Sequence, residues 1–163
     1  MASPDRRITM LLDILDQAYD SRSWLGTTLR GALKRVTPRE ALWRPGPKRH
    51  NIWELALHAA YWKYTVARRL AGAPPGSFPR KPSNWPKIPE KPDDAAWTAD
   101  LALLDLQHVL LRETVRRLPP AKLGARSPKG TWTNAEQIHG AAAHDLYHTG
   151  QIQLIKRLNE KKR

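Results

Sequence analysis

Cysteine is absent from the 163 residues of this chain. Disulfide bonds, zinc–thiolate sites and cysteine nucleophiles are therefore excluded. The absence is compatible with a reducing compartment, and we expect a cytoplasmic protein. Long apolar runs are missing as well, since no stretch approaches the roughly 18–20 residues of a membrane-spanning helix. The charged N-terminus lacks the apolar core of a signal peptide, so we expect no membrane partner.

Acidic residues are few: 15 stand against 28 lysines and arginines, which gives a formal net charge of +13. Such a charge favours polyanions or anionic small molecules as partners. The basic residues are scattered, however, and no nucleic-acid recognition motif accompanies them. A basic DNA-associated stress protein therefore stays an alternative rather than the leading hypothesis. The length fits a single domain over residues 1–163 with a real core.

Strand-like alternation is also missing, and apolar residues recur at helical spacing in four segments. The first covers residues 5–35, where the polar run at 20–23 and Gly26 predict a kink or a division. The second begins at Asn51, the third near Asp93 or Asp94, and the fourth after Thr133. Asn-x-x-Glu and Thr-x-x-Glu capping boxes mark the second and fourth starts, and Thr37–Glu40 predicts one further short turn of helix. Four long helices in one all-α domain indicate a four-helix bundle.

Residues 74–92 hold seven of the fourteen prolines. Such a segment predicts a semi-rigid crossover between the second and third long helices. Its length suggests that it spans the bundle, so the helices on either side would run parallel. Phe78, Trp85 and Ile88 are the expected anchors onto the core.

His144 and His148 lie four residues apart in the fourth helix, so about 40° separates them and both rings can reach one metal ion. A third ligand should come from a facing helix. His58, in an apolar stretch of the second helix, is the best candidate and His108 is the second. His139 points about 140° away from His144, and His50 precedes a helix among charged residues, where we expect it to be solvated.

Three neutral imidazoles without a carboxylate leave the charge of a divalent ion unneutralised and a coordination position open, which is typical of a catalytic site. Zinc is favoured, and nickel, iron, cobalt or manganese also fit. Asp145 is expected to orient an imidazole as a hydrogen-bond acceptor. Trp62 and Tyr147 would line a pocket or pack in the core, and Glu54 would serve only its capping box. A histidine satisfied by one core hydrogen bond is the competing interpretation of His58.

Two phrases, NIWELALHAAYW around His58 and HDLYHTGQI from His144 to Ile152, carry a resemblance to a known family. Together with ALWRPGPKRHNIWEL, SNWPKIPE and DLALLDLQHVLLRETV they resemble the DinB/YfiT-like superfamily over essentially the whole chain. The resemblance implies a four-helix bundle with an up-down-down-up arrangement. It also implies a divalent metal held by His58, His144 and His148, and a homodimer.

Relatives in that superfamily include S-transferases that depend on a low-molecular-weight thiol. The leading hypothesis is therefore a metal-dependent enzyme acting on a small molecule, and a thiol would have to come from a cofactor because the chain has no cysteine. A hydrolase that uses metal-activated water is one alternative. A basic DNA-binding protein and a dimeric structural module without an ion are the others.

Overall fold

The computed structural model describes residues 5–74, 76–126 and 130–160. Within these ranges the chain is helical and contains no strand. Four long helices and two short ones follow in the order α1 Arg6–Tyr19, α2 Leu29–Leu33, α3 Pro38–Leu42, α4 Ile52–Leu70, α5 Asp94–Arg117 and α6 Asn134–Glu160. The prediction of an all-helical chain with four long helices is confirmed.

Side-chain caps fix where the long helices begin. Asn51 Oδ1 accepts from the Glu54 amide (2.9 Å), and Glu54 Oε2 accepts from the Asn51 amide (3.2 Å). Thr133 and Glu136 make the same reciprocal pair at the start of α6. Asp93 accepts from the Ala96 amide at the start of α5. Each cap satisfies amides that have no partner inside the helix, so the helix starts predicted from these residues are confirmed.

The first predicted helical segment is divided rather than kinked. α1 ends at Tyr19, and Gly26 adopts a φ of +94°, which a residue with a side chain rarely tolerates. Helix resumes at α2, where the Thr28 hydroxyl accepts from the Gly31 amide. The turn after Thr37 forms α3 with the expected capping box.

Each long helix packs against two others: α4 contacts α5 and α6, and α1 contacts α5 and α6. Their apolar residues form two core clusters. Along α4 the first cluster extends to Ala60 and the second starts at Val66; along α5 the corresponding residues are Leu104 and Leu111. Between the two clusters lies a layer of buried polar side chains contributed by three helices: Lys63, Gln107, His108, Asp145, His148 and Thr149.

The crossover between α4 and α5 packs on the first core cluster, as expected. Phe78 is 1% exposed, and Trp85 and Ile88 are partly buried against the same cluster. None of the helices in the described ranges is both long and apolar enough to span a membrane. The cytoplasmic location stays a prediction.

Candidate metal centre

Two helices bring three histidines to one point. α6 places His144 and His148 on one face, with 3.0 Å between their Nε2 atoms, and α4 places His58 Nε2 3.2 Å from His144 Nε2. One ring nitrogen from each lies within 4.8 Å of the other two. His58 and His148 are buried and His144 is partly exposed. Within the part of the chain that the structure describes, no other group of three His, Asp or Glu residues converges in this way.

Hydrogen bonds at the far side of two rings set which nitrogen carries the proton. His58 Nδ1 lies 2.9 Å from the carbonyl oxygen of Asn84, and His148 Nδ1 lies 2.6 Å from Gln151 Oε1. Both oxygens can only accept, so each Nδ1 is the protonated nitrogen and each Nε2 keeps its lone pair. The lone pairs therefore point toward the common centre, as metal-ligating imidazoles require.

The rings are also neutral. Burial lowers the pKa of His144 to about 3 and that of His148 to about 4, and the neighbouring histidines add to the lowering in each case. Burial also lowers the pKa of His58. At neutral pH all three rings are therefore neutral, and the unprotonated Nε2 atoms of His58 and His148 are in the state that a cation binds.

The crossover closes one side of the cluster. Trp85 stacks on His58 with 3.8 Å between ring centroids and 6° between planes, and His50 stacks on the other face of Trp85 at 3.7 Å. Because Asn84 supplies the oxygen at His58 Nδ1, two consecutive crossover residues hold this ring.

Comparison with known proteins settles the family. The family model of the DinB superfamily matches residues 23–152, a span that contains all three histidines. The chain belongs to the DinB superfamily. Neither a curated protein nor a solved structure matches it significantly. The resemblance to this superfamily, inferred from the sequence phrases around His58 and His144, is thus confirmed.

The centre of this DinB-superfamily protein suits a divalent ion. A tetrahedral zinc site with Zn–N bonds of about 2.05 Å separates its nitrogen ligands by about 3.3 Å. The observed 3.0 and 3.2 Å are close to that spacing. A neutral His144 has one N–H and can donate it to the Nε2 of His58 or of His148 but not to both, so the cluster cannot satisfy all of its own lone pairs. The donor set fits a cation.

His108, the second candidate for the third ligand, belongs to the buried polar layer instead. Its Nδ1 lies 3.4 Å from Lys63 Nζ, so it accepts from the ammonium, and its Nε2 faces Asp16 Oδ1 at 3.4 Å. Its ring stacks on Tyr19 at 3.8 Å. Burial, with the charges of Lys63 and Arg112, lowers its pKa to about 2. This histidine is a neutral member of a core network.

His50 and Glu54 also have more partners than expected. The His50 side chain is half exposed, but it stacks on Trp85 and its Nδ1 lies 3.1 Å from Glu54 Oε2. Glu54 completes its capping box and additionally pairs with Arg44. The pairing with Arg44 joins the segment before α4 to its first turn.

The prediction that Asp145 accepts a hydrogen bond from a ligand imidazole is wrong. Its carboxylate does not orient an imidazole but pairs through Oδ2 with Lys63 Nζ, and both side chains are 1% exposed. Burial raises the pKa of Asp145, against the lowering effect of Lys63. α6 turns His144 and Asp145 by about 100° relative to each other, which sends the carboxylate into the core rather than to the ligand rings.

A cavity of about 430 Å³ opens beside the centre, and His144 forms part of its wall. Trp62 lines this cavity, as one of its two interpretations predicted, whereas Tyr147 is 64% exposed on the outer face of α6. His139 lines the cavity as well and lies outside the histidine cluster, as its helical angle predicted. The cavity gives a small molecule access to the partly exposed ligand.

Two supporting residues were missed by the sequence reasoning. Lys63 lies seven residues after Ala56 and seven before Leu70, on the buried face of α4, and that spacing was the available signal. Asn84 acts through its backbone carbonyl, so no side-chain pattern announces it.

Proposed function

We propose that this DinB-superfamily protein is a metal-dependent enzyme whose divalent ion is held by His58, His144 and His148. The observation that carries the proposal is the convergence of three neutral Nε2 atoms within 4.8 Å. Zinc is the favoured ion, with nickel, iron, cobalt and manganese as alternatives that imidazoles also bind. Such an ion supplies Lewis acidity at a position left open for a small molecule.

We further propose that the reaction transfers the sulfur of a low-molecular-weight thiol to an electrophilic carbon. A carbon–sulfur bond forms, the bond to the leaving group breaks, and the thiol proton goes to solvent. Support comes from the cavity at His144, which gives a small molecule access to the site, and the thiol would have to come from a cofactor because the chain has no cysteine. The chain's role is to hold both reactants there and to exclude water on the side closed by Trp85.

Elemental analysis of protein purified without an affinity tag tests the metal proposal. About one equivalent of a transition metal per chain is expected for the wild type and for His139→Ala, a matched histidine on the same helix. His144→Ala should retain little or none. Equal metal content in all three proteins would refute the site.

Activity assays separate the two chemistries. With an alkyl halide, turnover that requires added thiol supports transfer, whereas thiol-independent release of halide supports the hydrolase alternative. Turnover by His144→Ala at the wild-type rate with every substrate would refute a metal-centred mechanism of either kind.

We also propose the up-down-down-up arrangement of the four long helices. Its support is the order in which each helix meets the two core clusters. α4 and α5 pass from the first cluster to the second, whereas α6 passes from the second to the first. α1 contributes to the second cluster until Tyr19, its last residue, joins the first. Electron density for the helix connections in a crystal structure would test it.

A homodimer is proposed through an exposed apolar stripe on α6, where Tyr147, Leu154 and Leu158 follow one another along one face. Trp24, 93% exposed, and Leu25 extend it, because the Thr27 hydroxyl accepts from Gln153 and so ties their loop to α6. Light scattering should give twice the chain mass for wild type and a monomer for Leu154→Glu. An unchanged mass in Leu154→Glu would remove this surface from consideration.

A further inference from the structure

Most of the positive charge of the chain is concentrated in one part of it. Residues 22–91 hold 15 of the 28 lysines and arginines but three of the 15 acids, which gives this part a formal net charge of +12. The rest of the chain is nearly neutral, with 13 cations and 12 acids. A surface built from residues 22–91 therefore attracts anions, provided that the fold leaves its cations unpaired and close together.

Ion pairs neutralise only some of these cations. Four of them pair with carboxylates: Arg30, Arg44, Lys63 and Arg80. Four others are exposed and form no ion pair with any residue that the structure describes: Lys48, Arg49, Lys81 and Lys87. The second group is thus available to contact a charged partner.

Two loops carry the four unpaired cations, and these loops meet at one pair of stacked rings. The first two cations directly precede His50, whose ring stacks on Trp85 with 3.7 Å between the ring centroids. On the crossover, Lys87 follows Trp85 by two residues, and its amide donates to the carbonyl oxygen of Lys81 (3.1 Å). All four cations therefore lie near the His50–Trp85 contact, and together they form the basic loop surface.

Both loops are held in place by the protein itself. Two prolines restrict the loop before α4, and the carbonyl oxygen of Arg49 accepts from Arg44 at 2.6 Å. The proline-rich crossover is anchored on the first core cluster by Phe78, Trp85 and Ile88. Cations carried by an ordered backbone lose less conformational entropy when a partner binds.

The chemistry of the basic loop surface decides between partners. None of the exposed large apolar side chains of the described residues lies in these loops, so a membrane or a protein partner finds no apolar anchor. His50 and His58 cover the two faces of Trp85, which leaves neither face to stack on the bases of a single strand. Lysine and arginine side chains also have no hydrogen-bond acceptor for a ribose 2′-hydroxyl. Duplex DNA needs none of these features.

We propose that the basic loop surface docks on the phosphate backbone of duplex DNA without reading its sequence. Neutralising the phosphates releases counterions, so cations alone supply the affinity. The four cations stand on loops rather than on a helix that could enter the major groove, so base edges are not contacted. This binding activity goes beyond the proposed function and does not require an ion at the histidines.

Salt dependence tests the proposal in the wild type. Fluorescence anisotropy with labelled duplexes of two unrelated sequences gives the dissociation constants, on chelator-treated protein so that no metal ion takes part. Each phosphate contact adds about −0.9 to the slope of log affinity against log salt, so four contacts predict a slope of about −4 and a roughly 100-fold loss between about 50 and 200 mM salt. The two sequences should bind equally well.

Variants assign the binding to the surface. Replacing its four cations by glutamine should lower the affinity at about 50 mM salt by at least about 100-fold and bring the slope close to zero, because each contact contributes about tenfold there. A matched control loses the same charge from four exposed, unpaired cations in the half of the bundle that holds the second core cluster: Arg6, Arg69, Lys122 and Arg126. The control should stay within about threefold of the wild type. Melting curves verify that both variants fold, as expected for exposed positions.

Several outcomes would overturn the proposal. These are no binding of the wild type to duplex DNA, a salt slope near zero, or an equal loss of affinity in the control variant. Tighter binding to a single strand, to an RNA duplex of the same sequence, or to vesicles of equimolar phosphatidylserine and phosphatidylcholine would show that duplex DNA is the wrong partner.

Discussion

Replacing Lys63 by methionine removes one charge from the buried polar layer while keeping most of the side-chain volume. Lys63 is 1% exposed, donates to Asp145, and lies 4.6 Å from the centre of the Tyr19 ring. In the variant the Asp145 carboxylate loses this partner, and its Oδ1 already has none among the described residues. Breaking a buried pair in this way costs about 3–5 kcal/mol of unfolding free energy.

That loss is measurable by thermal and urea unfolding of metal-free protein at pH 7. At about 2–4 °C per kcal/mol for a chain of this size, the melting temperature should fall by roughly 6–20 °C. Lys87→Met, at an exposed position, should change stability by no more than about 0.5 kcal/mol. Adding Asp145→Leu to Lys63→Met removes the stranded carboxylate, and most of the loss should be recovered.

The pH dependence of the stability loss tests whether the unpaired Asp145 carboxylate causes it. Burial raises the pKa of Asp145, and removal of Lys63 raises it further. A group whose pKa is higher in the folded state than in the unfolded state stabilises at low pH and loses that contribution as pH rises. The difference in unfolding free energy between Lys63→Met and wild type should therefore become smaller from pH 7 to pH 5. A cost below about 1 kcal/mol at pH 7, or a gap independent of pH, would refute the reasoning.

Three further predictions concern the histidine cluster and its helix. Because burial holds the folded-state pKa of His144 near 3 and that of His148 near 4, below the usual 6.5, the unfolded chain takes up protons first as pH falls. The free energy of unfolding of the metal-free protein should therefore be constant above about pH 6.5 and decline by up to about 1.4 kcal/mol per pH unit for each histidine down to pH 4. Urea midpoints that stay flat over this range would contradict the prediction. Gln151→Leu removes the oxygen that accepts from His148 Nδ1, so zinc affinity measured by chelator competition should drop about 10- to 100-fold, whereas Gln153→Leu on the outer part of the same helix should match wild type. Thr133→Ala removes the α6 cap and should lower unfolding free energy by about 1 kcal/mol, with Thr133→Ser largely preserving it; equal melting curves for the two variants would argue against the cap.

The helix starts and the histidine spacing were predictable because both are local. Asn51 and Thr133 cap amides within three residues, and His144 and His148 share a face by helical geometry alone. The sequence favoured His58 over His108 as the third ligand, but spacing within one helix does not encode the contacts between helices that decide between them. Both lie in apolar surroundings, and only packing shows that one faces α6 and the other faces Lys63.

The polar partners of the site were less predictable for a physical reason. Asp145 has an imidazole as its chain neighbour, yet its carboxylate pairs with an ammonium on another helix. The Asn84 carbonyl acts at His58 because the crossover folds back onto α4, and backbone atoms leave no trace in composition.

The stacked rings of His50, Trp85 and His58 have a thermodynamic consequence. One short stretch of the connector supplies both a cover for a ligand ring and the oxygen that selects its tautomer. A cation that binds more tightly when the His58 ring is held in this orientation must also stabilise the packed crossover, by the same free energy. Amide hydrogen exchange around Trp85 should therefore slow when zinc is added. A substitution that loosens the crossover should weaken zinc binding by the same factor by which zinc stabilises the packed crossover.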